Sequence, residues 1–202
     1  MATNDYHFIT VWRVGGTVEE IMEILANGPD LARWWPSVYL DVQELVPGDE
    51  SGLGKDISLY TKGWLPYTLR WSFRVSDVRQ NGFTIEASGD FEGRGIWTFV
   101  QDGPEVVIIY DWKIRAHRPM LRSLSFLLKP IFAANHRSVM AQGETSLKLE
   151  LARRRARTPA ERAQIPPPPR PTTLSPLPLL AQAAALGGLV YVVTRRRRRE
   201  KQ

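Results

Sequence analysis

The sequence predicts an α+β fold, in which a curved antiparallel sheet of about seven strands closes around one long helix near the end of the folded domain. Two observations predict it. Between residues 38 and 116, apolar and polar residues alternate with a period of two, and short turn sequences separate the alternating stretches. Over residues 130–156 the apolar residues recur at helical spacing instead, with Arg137, Glu144 and Lys148 on the opposite face.

The strands are predicted from one-sided alternation. In residues 5–14 the side chains of Tyr6, Phe8, Thr10, Trp12 and Val14 share one face. Strands joined by hairpin-length turns, each with one apolar face, are typical of a sheet with one buried and one solvated side. The remaining strands are predicted near residues 38–46, 54–62, 67–78, 82–89, 94–101 and 105–116.

Two short helices are predicted between the first and second strands. Thr17, with Glu20 three residues later, matches a capping box at the start of the first helix. The Asn-Gly-Pro turn at residues 27–29 ends that helix. Asp30 is expected to cap a second helix with the sequence DLARWW, which ends before Pro36.

The long helix is predicted to cover Pro130–Ala156. Pro130 suits a first helical turn, and the arginines at positions 153–155 complement the negative end of the helix dipole. The apolar face of this helix contains one titratable side chain, His136. That face consists of Phe132, His136, Val139, Met140, Gly143, Leu147 and Leu151.

Composition limits the class of protein. The chain has 202 residues and no cysteine, which excludes disulfides, thiolate metal sites and thiol nucleophiles. Residues 1–151 contain 15 Lys and Arg against 19 Asp and Glu, whereas residues 152–202 contain 12 against 2. A mildly acidic body with a basic tail argues against a nucleic-acid-binding domain, whose basic patch would lie on the folded surface.

The C-terminal tail divides into three parts. Residues 157–173 are rich in proline and are expected to form an extended linker. Residues 174–194 contain no charged residue and match the thickness of a bilayer core, which predicts a single membrane span; a helix lying in the membrane interface is the alternative. Residues 195–202 are basic and are expected to contact lipid phosphates, or alternatively nucleic acid.

The charges around the span leave the topology open. The positive-inside rule places the arginines of residues 195–199 in the cytoplasm, which would put the body outside. The N-terminal sequence MATNDYHFITVWRV, however, lacks the features of a secretory signal. We therefore expect a cytosolic body, tethered to the membrane through residues 174–199.

Two local sequences, together with the order of the elements, resemble the START-like superfamily. These are ARWWPSVYLDVQEL, after the short helices, and RPMLRSLSFLLKPIFAANHRSVMAQGETSLKLELARR, which contains the long helix. The superfamily, also called SRPBCC, helix-grip, or polyketide cyclase/dehydrase and lipid-transport proteins, is matched over residues 5–155. The resemblance implies an apolar cavity between sheet and helix for lipids, isoprenoids, polyketides or similar molecules. It implies binding or transport in most members, and cyclisation or dehydration in a minority.

His136 is the candidate catalytic residue. It lies between Phe132 and Met140 on the apolar face, so it should point into the interior and contact a ligand head group or act as a general base. A buried histidine satisfied by a strand carbonyl or by Tyr110 is the structural alternative. Asn135, at the edge of the same face, either orients His136 or binds a neighbouring loop.

The candidate ligand-binding residues are inward-facing aromatic residues of the strands and apolar residues of the long helix. An ordinary aromatic core is the alternative. Two adjacent tryptophans on a short helix are not expected to face inward together, so Trp34 and Trp35 are candidates for the cavity mouth, with Trp64 on another loop. The ligand-binding candidates are Trp71, Phe73, Trp97, Tyr110, Trp112, Asn135, His136, Val139 and Met140.

Most catalytic signatures are absent from the sequence. The stretch GDESGLGKD only resembles a phosphate-binding loop, since Asp56 occupies the Ser/Thr position. The three histidines have no metal-ligand spacing, and neither a metal nor a cofactor is expected. The sequence thus favours membrane-tethered binding of a hydrophobic small molecule. The alternatives are a cyclase or dehydratase with His136 as base and Tyr110 as its partner, and an interaction module with a packed interior.

Overall fold

A computed structural model describes residues 5–116 and 125–171. A strand, two short helices joined by a 3₁₀ turn, six further strands, one long helix and a short final helix follow one another. The elements are β1 (Asp5–Gly15), α1 (Val18–Ala26), the 3₁₀ turn (Gly28–Asp30), α2 (Leu31–Trp34), β2 (Tyr39–Val46), β3 (Asp56–Lys62), β4 (Thr68–Arg79), β5 (Gly82–Gly89), β6 (Phe91–Asp102), β7 (Glu105–Ala116), α3 (Ser125–Arg155) and α4 (Pro159–Gln164).

The strands form one seven-stranded antiparallel sheet in the order β1-β7-β6-β5-β4-β3-β2, which confirms the predicted α+β architecture. Strands β1 and β7 pair without interruption from Asp5 opposite Arg115 to Gly15 opposite Glu105. The register shifts within the β2–β3 pair and, between Val75 and Asp77, within the β4–β5 pair. Such irregularities increase the local bend and twist of a sheet.

Both short helices begin at the predicted residues, but only the first has the predicted side-chain cap. Thr17 Oγ1 accepts a hydrogen bond from the Glu20 backbone N–H at 3.4 Å, and Glu20 Oε2 accepts one from the Thr17 N–H at 3.0 Å, completing the capping box. Asp30 occupies the N-cap position of α2 as predicted, but its side chain makes no capping hydrogen bond. Its carboxylate instead accepts a hydrogen bond from Arg33 at 2.8 Å. The arginine one turn later therefore takes the carboxylate that the helix start was expected to use.

Helix α3 starts five residues earlier than predicted and continues through Pro130. The prediction gave most weight to the preference of proline for a first helical turn. A proline in the helix interior removes one backbone hydrogen bond, and α3 accepts this loss at an exposed residue. The other end, at Arg155, lies within one residue of the predicted end.

Ion pairs connect the C-terminal end of α3 to α1 and α2. Glu150 is 2% exposed and accepts two hydrogen bonds from Arg33, at 2.9 and 2.7 Å, and one from Arg154 at 3.0 Å. Arg155 donates two hydrogen bonds to Glu20, at 2.8 and 2.5 Å. Burial acts to raise the pKa of the Glu150 carboxyl, but the hydrogen bonds from the two arginines outweigh it and hold that pKa below its ordinary value.

The predicted linker contains a short helix. Helix α4 has its own capping box between Thr158 and Glu161, and none of its residues is buried. The Arg153 guanidinium donates a hydrogen bond to the carbonyl oxygen of Pro166. Within residues 5–116 and 125–171, no helix combines the length and the apolar character needed to cross a bilayer. The predicted membrane segment, residues 174–194, and the basic tail, residues 195–202, lie outside the described residues.

The substitution Arg33→Ala should test the attachment of α3. Removing one partner of a buried charge usually costs about 3–5 kcal/mol, and we expect a smaller loss of about 2 kcal/mol because Arg154 still binds Glu150. The free energy of unfolding from chemical denaturation measures it. Arg13→Ala is the matched control, since Arg13 and Asp102 form an exposed pair whose loss should cost no more than about 0.5 kcal/mol. Equal losses of unfolding free energy in the two variants would contradict the conclusion that Arg33 attaches α3 through Glu150.

Candidate functional site

A cavity of about 180 Å³ lies between the inner face of the sheet and α3. Its wall is mostly aromatic and aliphatic, with a few polar side chains. The lining residues are Tyr6, Phe8, Trp35, Val38, Tyr39, Thr61, Gly63, Tyr67, Leu69, Trp71, Phe91, Tyr110, Trp112, Ile114, Phe132, Asn135, His136, Val139 and Met140.

The alternation of the strands places most of the predicted residues on this wall. β4 contributes Trp71, β7 contributes Tyr110 and Trp112, and α3 contributes residues of its apolar face. Phe73 and Trp97 were also predicted to line the cavity but are not part of its wall. Trp97 is 8% exposed and stacks on Tyr110 with ring centroids 4.0 Å apart. The predicted residues that do line the cavity are Trp71, Tyr110, Trp112, Asn135, His136, Val139 and Met140.

Trp34 and Trp35 are both buried, at 0% and 2% exposure, which corrects the expectation that one of them faces outward. The expectation assumed that both residues continue a helix. Trp35 has already left the helix, with φ −124° and ψ 53°, so its ring turns inward beside that of Trp34. The two rings stack with centroids 5.5 Å apart. Trp35 lines the cavity and Trp34 does not.

Gly143 of α3 makes the position of Trp35 possible. A Cβ atom at this glycine would overlap the Trp35 ring. A side chain at this position would therefore push either the ring or the helix away. The glycine on the apolar face of the predicted helix is the signal in the sequence that a large side chain packs there.

Asn135 ties α3 to the loop after β3. Its side-chain oxygen accepts hydrogen bonds from the backbone N–H groups of Trp64, at 2.9 Å, and Leu65, at 3.4 Å. Of the two predicted roles for Asn135, the structure therefore shows the loop contact. Trp64 was predicted at the cavity mouth; it is half-buried, and the residues of this loop that line the cavity are Gly63 and Tyr67.

His136 lies on the cavity wall, and its hydrogen-bond partner is Thr10. Its Nε2 atom is 3.4 Å from Thr10 Oγ1, and its ring stacks on Phe8 with centroids 4.3 Å apart. Among the described residues, no hydrogen bond joins His136 to Tyr110 or to a strand carbonyl, which were the predicted structural partners. Burial, with a smaller contribution from the charge of Arg137, lowers the pKa of His136 to about 4. The imidazole is therefore neutral at pH 7.

Tyr39 and Thr61 are cavity residues that the sequence analysis missed. Thr61 Oγ1 accepts a hydrogen bond from Trp71 Nε1 at 3.0 Å. The ring of Tyr39 packs edge-on against Trp35 with centroids 5.2 Å apart. Most of β2 is exposed, so alternation gave no sign that its first residue faces the cavity. Tyr6 and Phe8 were placed on the inward face of the first strand but not assigned to a binding site.

A second, more open depression of about 670 Å³ lies mainly on the outer face of the sheet. Its wall contains ion pairs between Asp5 and Arg115, at 2.7 Å, and between Glu86 and Arg94, at 3.3 Å. These charges neutralise each other in solvent. The depression lacks the apolar enclosure that distinguishes the inner cavity.

Protein-family models give no match to the sequence, and neither do curated proteins. Solved structures do match. A Thermus thermophilus protein superimposes with a TM-score of 0.61 at 12% identity, covering 75% of this chain and 100% of its own. The Zhui aromatase/cyclase of a Streptomyces species gives 0.57 at 15% identity, covering 76% and 97%. A STAR-related lipid transfer protein from Xanthomonas axonopodis gives 0.52 at 15% identity, covering 74% and 88%. The chain has the START-like fold.

The titration of His136 should appear in the pH dependence of stability. The pKa of the unfolded histidine is about 6.5 and that of the folded one about 4, so acid protonates the unfolded chain first and destabilises the fold. When the pH falls from roughly 7 to 4.5, the titration of His136 should lower the free energy of unfolding by about 2–3 kcal/mol.

The variant His136→Gln isolates this effect, because the carboxylates titrate alike in both proteins. Chemical denaturation at the two pH values should show that the wild type loses more stability than the variant. Equal losses of unfolding free energy in the wild type and the variant would contradict the conclusion that His136 is buried and neutral.

Proposed function

We propose that this START-like chain binds a hydrophobic small molecule in the cavity between the sheet and α3. The observation that carries the proposal is the cavity wall, in which aromatic and aliphatic side chains surround a space with few polar groups. Apolar enclosure with a small number of polar side chains is typical of sites for small organic ligands. Lipid transfer by the Xanthomonas protein and cyclisation by the Streptomyces enzyme support this class of ligand by analogy of fold.

The volume of the cavity restricts the size of the ligand. Sites for drug-sized molecules usually have about 300–1,000 Å³, whereas an engineered apolar cavity of about 150 Å³ binds benzene. At about 180 Å³ this cavity fits a molecule of one or two rings, or a short acyl chain. A larger lipid would require the wall to open.

Binding is favoured over catalysis by the state of His136. A general base works best when its pKa is near the working pH. With a pKa of about 4, His136 is a weak base, and its Nε2 atom is directed at Thr10. A cyclase or dehydratase with His136 as base is therefore the second candidate. Loss of turnover with retained ligand binding in His136→Gln would favour it.

The substitution Val139→Phe should test the cavity as the binding site. The larger side chain fills part of the space, so we expect the affinity for ethylbenzene to fall by about tenfold or more, since overpacking displaces the guest or the wall. The shift of the Met140 methyl resonance in NMR titrations measures the dissociation constant. Ala141→Phe, on the exposed side of α3, is the matched control and should leave binding unchanged. Ethylbenzene that bound neither the wild type nor the control would contradict the proposal.

We further propose that residues 174–199 attach the domain to a membrane, with the body in the cytosol. The uncharged run of residues 174–193 and the adjoining arginines support this proposal. An apolar cavity held beside a bilayer gains a high effective concentration of apolar ligands. Digestion of the body by a protease added to intact cells would contradict the cytosolic placement.

Two charges placed in the apolar run should release the protein from membranes. The full chain should float with vesicles of phosphatidylcholine and phosphatidylglycerol, and the double variant Leu186→Asp, Val190→Asp should lose most of this binding, because each buried carboxylate costs several kcal/mol in the hydrocarbon core. The double variant Ala160→Asp, Gln164→Asp adds the same charge on the exposed helix α4 and serves as the control. Equal flotation of both variants would contradict the attachment.

A further inference from the structure

Most of the polar side chains on the cavity wall are already engaged by the protein. Asn135 binds backbone N–H groups of the loop at residues 63–65. His136 is paired with Thr10, and Thr61 accepts the indole N–H of Trp71. These groups stabilise the wall. A ligand would have to displace an internal hydrogen bond to use their main donor or acceptor atoms.

The hydroxyl groups of Tyr39 and Tyr110 differ from these side chains. Both tyrosines line the cavity, and neither hydroxyl is hydrogen-bonded within the described residues. Neither oxygen belongs to the buried polar atoms that lack both solvent and a partner, a group that does include the hydroxyl of Tyr6. The two hydroxyls therefore reach the cavity space itself.

The rings that carry these hydroxyls are held in place. Tyr110 is stacked between Trp97, at 4.0 Å, and Trp112, at 5.5 Å. Its hydroxyl lies over Gly95, where a Cβ atom would come within 2.7 Å of the oxygen. Tyr39 is fixed edge-on by Trp35. Donors with little freedom to rotate lose little entropy when a ligand binds them.

The two hydroxyls are neutral and belong to residues of the same cavity wall. Burial raises the pKa of both tyrosines, and the proximity of Tyr39 raises that of Tyr110 further. Each therefore keeps its proton at neutral pH and can donate it in a hydrogen bond. Phenolic donors without a partner in an apolar space favour a ligand that brings an oxygen acceptor, because a donor left without a hydrogen bond in such a space costs free energy.

We propose that the cavity selects a flat apolar molecule bearing a carbonyl-type oxygen, which accepts hydrogen bonds from Tyr39 and Tyr110. The ring system of the ligand lies against Trp71 and Trp112, and its oxygen lies at the tyrosine pair. This inference rests on the proposed function and adds the chemical class of the ligand to it.

Acetophenone and ethylbenzene provide matched probes, because they have nearly the same shape and differ in the carbonyl oxygen. The full chain should bind acetophenone at least as tightly as ethylbenzene. The double variant Tyr39→Phe, Tyr110→Phe should bind acetophenone about tenfold more weakly and ethylbenzene within about twofold of the wild type, since only the ketone loses its donors. NMR titration of the Met140 methyl group gives both constants.

Tyr60→Phe is the matched control, because Tyr60 is not among the residues that line the cavity and its ring packs under the Arg70 guanidinium. It should leave both affinities unchanged. Unaltered acetophenone binding in the double variant, with ethylbenzene still bound, would overturn this inference alone. Absence of binding by both probes in the wild type would overturn the proposed function and this inference with it. Retained ethylbenzene binding in the double variant shows that its cavity is folded.

Discussion

The attachment of the C-terminal half of α3 to the rest of the domain determines whether a cavity exists at all. Leu147 and Leu151 are buried in the core, and Glu150 is held by Arg33 and Arg154. These contacts fix the orientation of α3 relative to the sheet. Toward its N-terminal half, residues such as Val139 and His136 are only half-buried. The same helix thus closes the core at one end and leaves space at the other.

Aromatic side chains keep that space open. The rings of Trp97, Tyr110 and Trp112 stack in a row along the inner face of β6 and β7, and Trp71 tilts against Trp112 at 6.0 Å. Rings that pack against each other satisfy their dispersion contacts without needing to fill the centre of the domain. Two buried tryptophans, Trp34 and Trp35, also keep indole N–H groups without partners in the described part of the chain. Their burial therefore adds apolar contact at some cost in hydrogen bonding.

The sequence predicted the parts of the fold that rest on periodicity. Alternation in strands such as β4 and β7 identified the inward face, and with it Trp71, Tyr110 and Trp112 on the cavity wall. Local chemistry was less reliable: Pro130 suggested a helix start, whereas the helix begins five residues earlier, at Ser125. Asp30 stands at the predicted N-cap, but its carboxylate binds Arg33 and not the backbone of the helix.

The site could be predicted less completely, because its details depend on contacts between distant segments. The hydrogen bond between His136 and Thr10 joins residues 126 positions apart, and no local sequence pattern predicts such a contact. Tyr39 begins a strand that is mostly exposed, and its ring packs against Trp35, so its place on the cavity wall does not follow from the pattern of the strand. The inward turn of Trp35 in turn depends on Gly143. Each of these contacts requires the sheet and α3 to be assembled first.

A crystal of the full chain exposed to pressurised xenon would measure the open space most directly, since xenon occupies apolar cavities of this size. The account predicts one or more xenon atoms between Trp71, Trp112 and Val139, with the surrounding rings in the positions described. Electron density that shows these side chains in mutual contact, with no xenon between them, would contradict it.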